Sequence, residues 1–286
     1  MKKTITLLLS ALLLIPCLCL AACKAGPAGS AGSAGTAGKS AYEIWKEAGH
    51  TGSEAEFLES LKGNEAIFNA TAAYAENAQQ LRDALRSKRP YVVIKNDITD
   101  FSEEWGIEGT KTDKTIIGGG HTVNAAFHVS LGARLKVFDL NIQPSVTAEA
   151  DNPHKAGVVV AEDAAIEFYN VRIEMPASLA ATYGLYIADT AGEAFLEGVR
   201  VFNQNTSGYA MWTSSEDVRF LGGEYGSKST YTIGFGNTLT VTQIKKMFIV
   251  VPTFAAKEAG QFDLLVLNKF VSGESYHKMN IEDLMA

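Results

Sequence analysis

The chain has 286 residues, 32 of them acidic against 25 basic, for a net charge of −7, and 47% of its residues are hydrophobic. That balance supports a sizeable core and argues against a partner held by its phosphate backbone, so no nucleic acid is expected as a ligand. Its three cysteines, Cys17, Cys19 and Cys23, all lie at the N-terminal end, and the remainder offers neither a disulfide framework nor a cysteine metal cluster.

Lys2 and Lys3 precede an apolar run from Ile5 to Leu20, the layout of an export signal over residues 1–22. Its end, Leu20-Ala21-Ala22-Cys23, resembles the lipobox of bacterial lipoproteins. That resemblance implies lipidation at Cys23, with membrane attachment through acyl chains at ~0.8 kcal/mol per buried methylene. Lys24 stands where an aspartate would suggest inner-membrane retention in some bacteria, so the resemblance implies a cell-envelope protein of the outer membrane or cell surface. The plainer alternative is an ordinary cleavage site that precedes a cysteine by chance. Beyond the signal no apolar stretch approaches the roughly 20 residues of a bilayer span.

Residues 23–39 carry glycine at 26, 29, 32, 35 and 38, a collagen-like period of three. With Pro27 as their one proline, these triplets are too short and proline-poor to hold a triple helix alone. They read as a flexible linker, with a homotrimer as the other reading. Over residues 40–63, Ser40 with Glu43 and Ser53 with Glu56 have capping-box spacing, and Gly49 can end the first of two short helices. Ile44, Trp45, Phe57, Leu58 and Leu61 supply a shared apolar face for this helical hairpin. The segment resembles the "SAYE…LKG" module that follows collagen-like stretches in phage tail and bacterial surface proteins, where it accompanies self-association; packing of the hairpin against the main domain is the other reading. Residues 64–74 read as a connector.

From residue 75 to 286 the pattern changes. Ala75 to Lys88 forms an amphipathic helix with Leu81 and Leu85 on one side, placed before the apolar strand Tyr91 to Ile94. Four segments then align on one turn residue: LKVFDLNI from Leu135, IEFYNVRI from Ile166, AFLEGVRV from Ala194 and VRFLGGEY from Val218. The turn residues, Asp139, Asn170, Gly198 and Gly222, are types that tolerate positive φ. Their spacing is too irregular for a propeller and suits a coil whose loops vary in length. The pattern predicts an all-β domain, a right-handed parallel β-helix with an N-terminal capping helix. Its inward columns are Leu135/Ile166/Ala194/Val218, Val137/Phe168/Leu196/Phe220 and Ile142/Ile173/Val201/Tyr225, stacked ~4.8 Å apart. The capping helix, the VVIK strand and the TIIGGGHTV segment together resemble the pectin-lyase-like superfamily. A β-sandwich is the alternative, weakened by the scarcity of two-residue hairpin signals.

Enzymes of that superfamily carry paired aspartates or a calcium-binding acidic cluster with an arginine base; no NTD, GHG or RIK triplet occurs, and HExxH and GxSxG are absent. No catalytic residue, cofactor or metal site is assigned. His121 and His128 fall on different strands. The best remaining set is the outward column Thr122, Asn141, Arg172, Arg200 and Glu224. There Arg172 and Arg200 can grip the carboxylate of an acidic sugar, or else Arg200 simply pairs with Glu224 on a solvated face. Loop acids Glu162, Asp163, Asp189, Glu216 and Asp217 can stack as a calcium site or serve only as solvated loop charges. Tyr186, outward beside Val159 and Ala210, is a candidate sugar-stacking platform, or part of a half-buried patch. Two functions follow. One is a non-catalytic surface lipoprotein binding an acidic glycan or extracellular protein; the other is a polysaccharide lyase or hydrolase with a degenerate active site.

Overall fold

The computed structural model describes residues 68–101, 104–108, 113–149, 155–236, 239–255, 257–268 and 275–285, with Glu43, Lys46, Glu47, Gly49, Thr51 and Ser53 before them. The export signal, Cys23, the glycine triplets and most of the 40–63 module lie outside these residues. Gly49 does adopt a positive φ of 93° and donates its N–H to the Lys46 carbonyl at 3.1 Å, as a helix-ending glycine should. The chain divides between Leu61 and Lys62 into two units, and all that follows concerns the second.

This unit is mostly β, arranged in three sheets. Sheet I stacks Ala72–Ala75, Tyr91–Ile94, Lys114–Ile117, Arg134–Phe138, Ala165–Tyr169, Ala194–Glu197, Val218–Leu221 and Phe248–Val250. Sheet II stacks Thr122–Val123, Asn141–Ile142, Arg172–Met175, Arg200–Asn203, Glu224–Ser227 and Thr253–Phe254. Sheet III runs from Glu104–Glu108 through Ala126–Ser130, Lys155–Val160, Tyr183–Ile187, Tyr209–Thr213 and Tyr231–Phe235 to Phe262–Asn268 and Ser275–Met279. From Lys114 onward the chain visits sheets I, II and III in cyclic order, and each strand pairs in parallel with the one a full cycle earlier. Antiparallel pairing among the described residues is confined to Ala148–Glu149 on the Lys155–Val160 strand and to Ser275–Met279 on Phe262–Asn268. This parallel order is compatible with a parallel β-helix and is not the hairpin order of an antiparallel sandwich.

The three expected inward columns are in register, and their members are buried: Ile166 pairs with Leu135 and Ala194, Phe168 with Val137 and Leu196, and Ile173 with Ile142 and Val201. Each passage from sheet I to sheet II beyond residue 138 takes two residues. In the first four of these five corners the first of the pair is Asp139, Asn170, Gly198 or Gly222, with φ of 48°, 53°, 60° and 72°, the left-handed region foreseen for that column; the last corner, Val251-Pro252, does not adopt it. The second is Leu140, Val171 or Val199 in the first three corners, each buried, so one side chain turns out while the next anchors the corner in the core.

The helix runs Ala78–Arg86, its start fixed by the Asn77 side chain accepting the Gln80 N–H at 3.0 Å. Leu81 and Leu85 are buried, and outward Arg82 and Arg86 lie 4.9 Å over the rings of Phe101 and Trp105. Its last turn is closed from within. Lys114 occupies the inward column beside Leu135, and its buried ammonium donates to the carbonyls of Ala84 at 3.3 Å, Ser87 at 2.6 Å and Arg89 at 2.7 Å. The first sheet I strand, Ala72–Ala75, begins inside the stretch read as a connector; its alanines carry little strand preference, and parallel pairing to Tyr91–Ile94 holds it.

Candidate functional site

The sheet I to sheet II corners place polar side chains in rows along one edge of the stack. Asn170 donates from Nδ2 to Asp139 Oδ1 at 2.7 Å, and Asn141 donates from Nδ2 to the Gly120 carbonyl at 2.7 Å. Two residues past each corner, parallel pairing sets Asn141, Arg172, Arg200 and Glu224 side by side as expected. These rows enclose an open cleft of about 190 Å³ lined by Gly120, Asp139, Asn141, Asn170, Val171, Arg172 and Arg200. Its size suits one charged group or a single sugar edge, not an enclosed drug-sized ligand.

The two arginines differ. Arg172 Nε and Nη2 donate to Glu174 Oε2 at 3.1 and 2.9 Å, and its guanidinium lies 5.4 Å over the Phe202 ring. Arg200 is exposed, and among the described residues it makes no ion pair; the expected Arg200–Glu224 bridge is not formed. Glu174 is outward two residues along the strand from Arg172, so a carboxylate of its own strand neutralises Arg172 and leaves the Arg200 charge facing the cleft.

Tyr186 lies elsewhere, on the outer face of sheet III, and it is buried. Its neighbours in register are Val159 and Trp212, not Ala210. Tyr183 pairs with Tyr209 and Leu185 with Met211, so Ala210 stands opposite Gly184, and aligning the strands on Gly184 and Gly208 misses the Tyr186 partner by two residues. A Cβ at Gly184 would stand 2.5 Å from the Val201 side chain, so this position faces into the stack. Tyr186 packs with Tyr183 at 5.3 Å, and Tyr183 leads a run of rings through Tyr209, Tyr231 and Phe262 at 5.9, 6.2 and 6.2 Å. Burial pushes the Tyr183 phenol well above its ordinary pKa. Tyr186 is therefore part of a packed outer layer and not an open platform; Trp212, Tyr231 and Phe262 are the more exposed rings.

Of the loop acids, Asp189, Glu216 and Asp217 line one open cleft of about 320 Å³, while Glu162 and Asp163 do not reach it. Glu216 bonds to the Gln243 side chain and Asp217 faces Arg219 at 3.8 Å, and among the described residues no three His, Cys, Asp or Glu side chains are placed to hold a metal. The histidines each face their own carboxylate, His121 with Asp97 at 3.4 Å and His128 with Glu104 at 3.1 Å. The Thr122 N–H, donated to Asp97, holds that carboxyl below its ordinary pKa, with His121 adding to the effect.

No family model, curated protein or solved structure matches the chain. Sequence alignment found the arginine row, since it recurs once per passage. It missed that Asp139 and Asn170, noted only for backbone conformation, also line the cleft.

Proposed function

We propose that this protein is a non-catalytic cell-envelope lipoprotein, anchored through Cys23, whose second unit is a right-handed parallel β-helix that binds an acidic glycan along the sheet II corner. The observation that carries the reading is the exposed Arg200 guanidinium beside Arg172 and the carboxamides of Asn141 and Asn170 in one cleft. A cation without an ion pair next to paired donors suits a carboxylate carried on a hydroxyl-rich ring. Proton transfer to a glycosidic oxygen needs a carboxylate pair or an equivalent acid and base, and Asp139, the one acid lining this cleft, is already bonded to Asn170. The address rests on the lipobox resemblance, and no helix among the described residues is long and apolar enough to cross a membrane.

The test is titration of the Cys23→Ser protein with polygalacturonate, alginate and neutral dextran. Binding should be confined to the two uronate polymers and should weaken steeply with salt, since exposed charges are screened over ~10 Å at 0.1 M. Arg200→Gln should abolish it. Binding that survives that substitution, or the release of new sugar ends, overturns the reading. Cys23→Ser should also release the protein from membranes, and retention at wild-type levels removes the anchor.

A further inference from the structure

A larger cavity, about 720 Å³, opens at the last turn of the stack and shares no lining residue with the sheet II cleft. That volume lies within the ~300–1,000 Å³ of small-molecule sites. Its polar lining is Thr253, Lys257, Gln261, Asp263, Asn280 and Glu282, beside an apolar wall that includes Pro252 and Phe254.

The placement of Asp263 is unusual for this architecture. Pairing of Tyr231 with Phe262 and of Ile233 with Leu264 sets Asp263 next to Thr232, in the inward column that earlier passages fill with Gly184 and Ala210. A position that is glycine or alanine within the stack thus becomes a hydroxyl and then a carboxylate at its open end. Asp263 is only 9% exposed, and one oxygen, Oδ2, accepts the Ile281 N–H at 3.0 Å. Leaving a buried carboxylate with little compensation is costly. The nearest cation does not close on it: Lys257 donates to the Phe262 carbonyl, at 2.5 Å, and forms no ion pair with Asp263 among the described residues. Burial holds the Lys257 amine below its ordinary pKa, and the Asp263 charge pulls it partly back.

We propose that this cavity is a subsite for one neutral sugar residue, whose hydroxyls bridge the Asp263 carboxylate and the Lys257 ammonium while its C–H face packs on Phe254. Hydroxyls both donate and accept, so a vicinal pair satisfies an acceptor and a donor that do not satisfy each other. Asp263 and Glu282 against Lys257 leave the lining one charge negative, which disfavours the anion suited to Arg200, and the carboxamides of Gln261 and Asn280 offer donors and acceptors to a neutral ligand without adding charge. The inference stands independently of the acidic-glycan reading, because no residue is shared.

The experiment is calorimetric titration of the full Cys23→Ser chain with methyl glycosides of glucose, galactose, mannose and N-acetylglucosamine. At least one should bind with a Kd in the millimolar range or below, with affinity unchanged by Arg200→Gln and insensitive to salt. Asp263→Asn and Lys257→Met should each weaken it by about tenfold or more, the loss of roughly one hydrogen bond to a charged group. Should Asp263→Asn fail to fold, Lys257→Met and Gln261→Ala, on less buried positions, carry the same test, with an unchanged melting temperature as the control. No binding by any of the four sugars, or binding indifferent to both Lys257→Met and Gln261→Ala, overturns the proposal; loss of uronate binding alone does not touch it.

Discussion

At one end of the stack, Leu81 and Leu85 are buried beneath the helix Ala78–Arg86, and Lys114 ties that helix's last carbonyls from inside. At the other end, Ile249 and Val250 of the last sheet I strand are 58% and 53% exposed, and polar groups surround a cavity where the first end has a plug. Each turn is covered only by its neighbours, so both ends of a repeating core need cover. The far end has its own, through Ile244 and Met247 of the helix Val241–Met247 and Ile281 of the helix Ile281–Met285, but only that end also leaves a polar-lined cavity that can meet something else.

The contrast can be broken by mutation. The largest effect is expected at the plugged end and in the columns it protects: Leu81→Ala should lose ~2–5 kcal/mol and Phe168→Ala ~3–5 kcal/mol in urea unfolding. Glu167→Ala, one residue away and paired outward with Lys136 at 2.7 Å, should lose at most ~1 kcal/mol. Next, Lys114→Met keeps the buried stem but leaves the Ser87 and Arg89 carbonyls without this donor, Ala84 keeping the Ser87 N–H and hydroxyl, and should cost about 2–4 kcal/mol at ~1–3 kcal/mol for a buried polar group left dry. A neutral outcome there would show the helix to be held by its leucines alone.

Within the stack, Asn170→Gly should be tolerated at φ 53°, while Asn170→Val should cost about 1–2 kcal/mol more than the glycine. A valine variant with unchanged melting temperature would remove the conformational reason for that column. Tyr225→Phe is expected to be neutral or stabilising by ~1 kcal/mol at pH 7, because the Tyr225 hydroxyl is fully buried with no hydrogen-bond partner among the described residues. Burial raises the Tyr225 pKa, so this phenol stays neutral in the folded chain while it ionises in the unfolded chain. Its stabilising contribution is whole below the unfolded value near ~10 and is lost above it at about 1.4 kcal/mol per pH unit. Phenylalanine should make that alkaline loss shallower, which pH-dependent melting would detect. The smallest effect should come from the exposed part of the last sheet I strand, where Ile249→Ser should stay within ~0.5 kcal/mol; a loss like that of Leu81→Ala would mean that this side chain is covered.

What was legible in the sequence follows from what repeats. The inward columns and the arginine row could be aligned because each passage spends the same two residues at the sheet I to sheet II corner. Ala72–Ala75 was missed since its alanines look like a helix or a linker. Ala210 is the wrong neighbour for Tyr186 because Gly208, which also precedes a strand, is not the counterpart of Gly184; the register sets Gly208 two residues earlier. The sheet III to sheet I corners are harder to align: Gly132 marks the first, beside Leu131 at φ 53°, but Glu162 and Asp163 hold φ of 52° and 60° in the next without glycine or asparagine to announce it. Asp163 is instead kept there by its N–H to the Thr190 carbonyl at 2.6 Å, a contact between passages that no local pattern encodes. The cavity at the last turn escaped for a similar reason, its groups coming from three separate stretches at 257, 263 and 280.

The two-residue corner also determines where foreign sequence can be carried. Between sheets II and III the joining segments differ in length from passage to passage, as 176–182, 204–208 and 228–230 show, whereas Asp139-Leu140, Asn170-Val171 and Gly198-Val199 never vary. A peptide tag spliced beside Asn205 would lengthen a segment whose length the fold already leaves unspecified, and it would ride on the surface as cargo. A single residue spliced between Asn170 and Val171 would push Arg172 inward and Ile173 out, since a slip of one exchanges the faces of a strand. The same chain is thus forgiving at one corner and intolerant at the next, and any display scaffold made from it would have to respect that boundary.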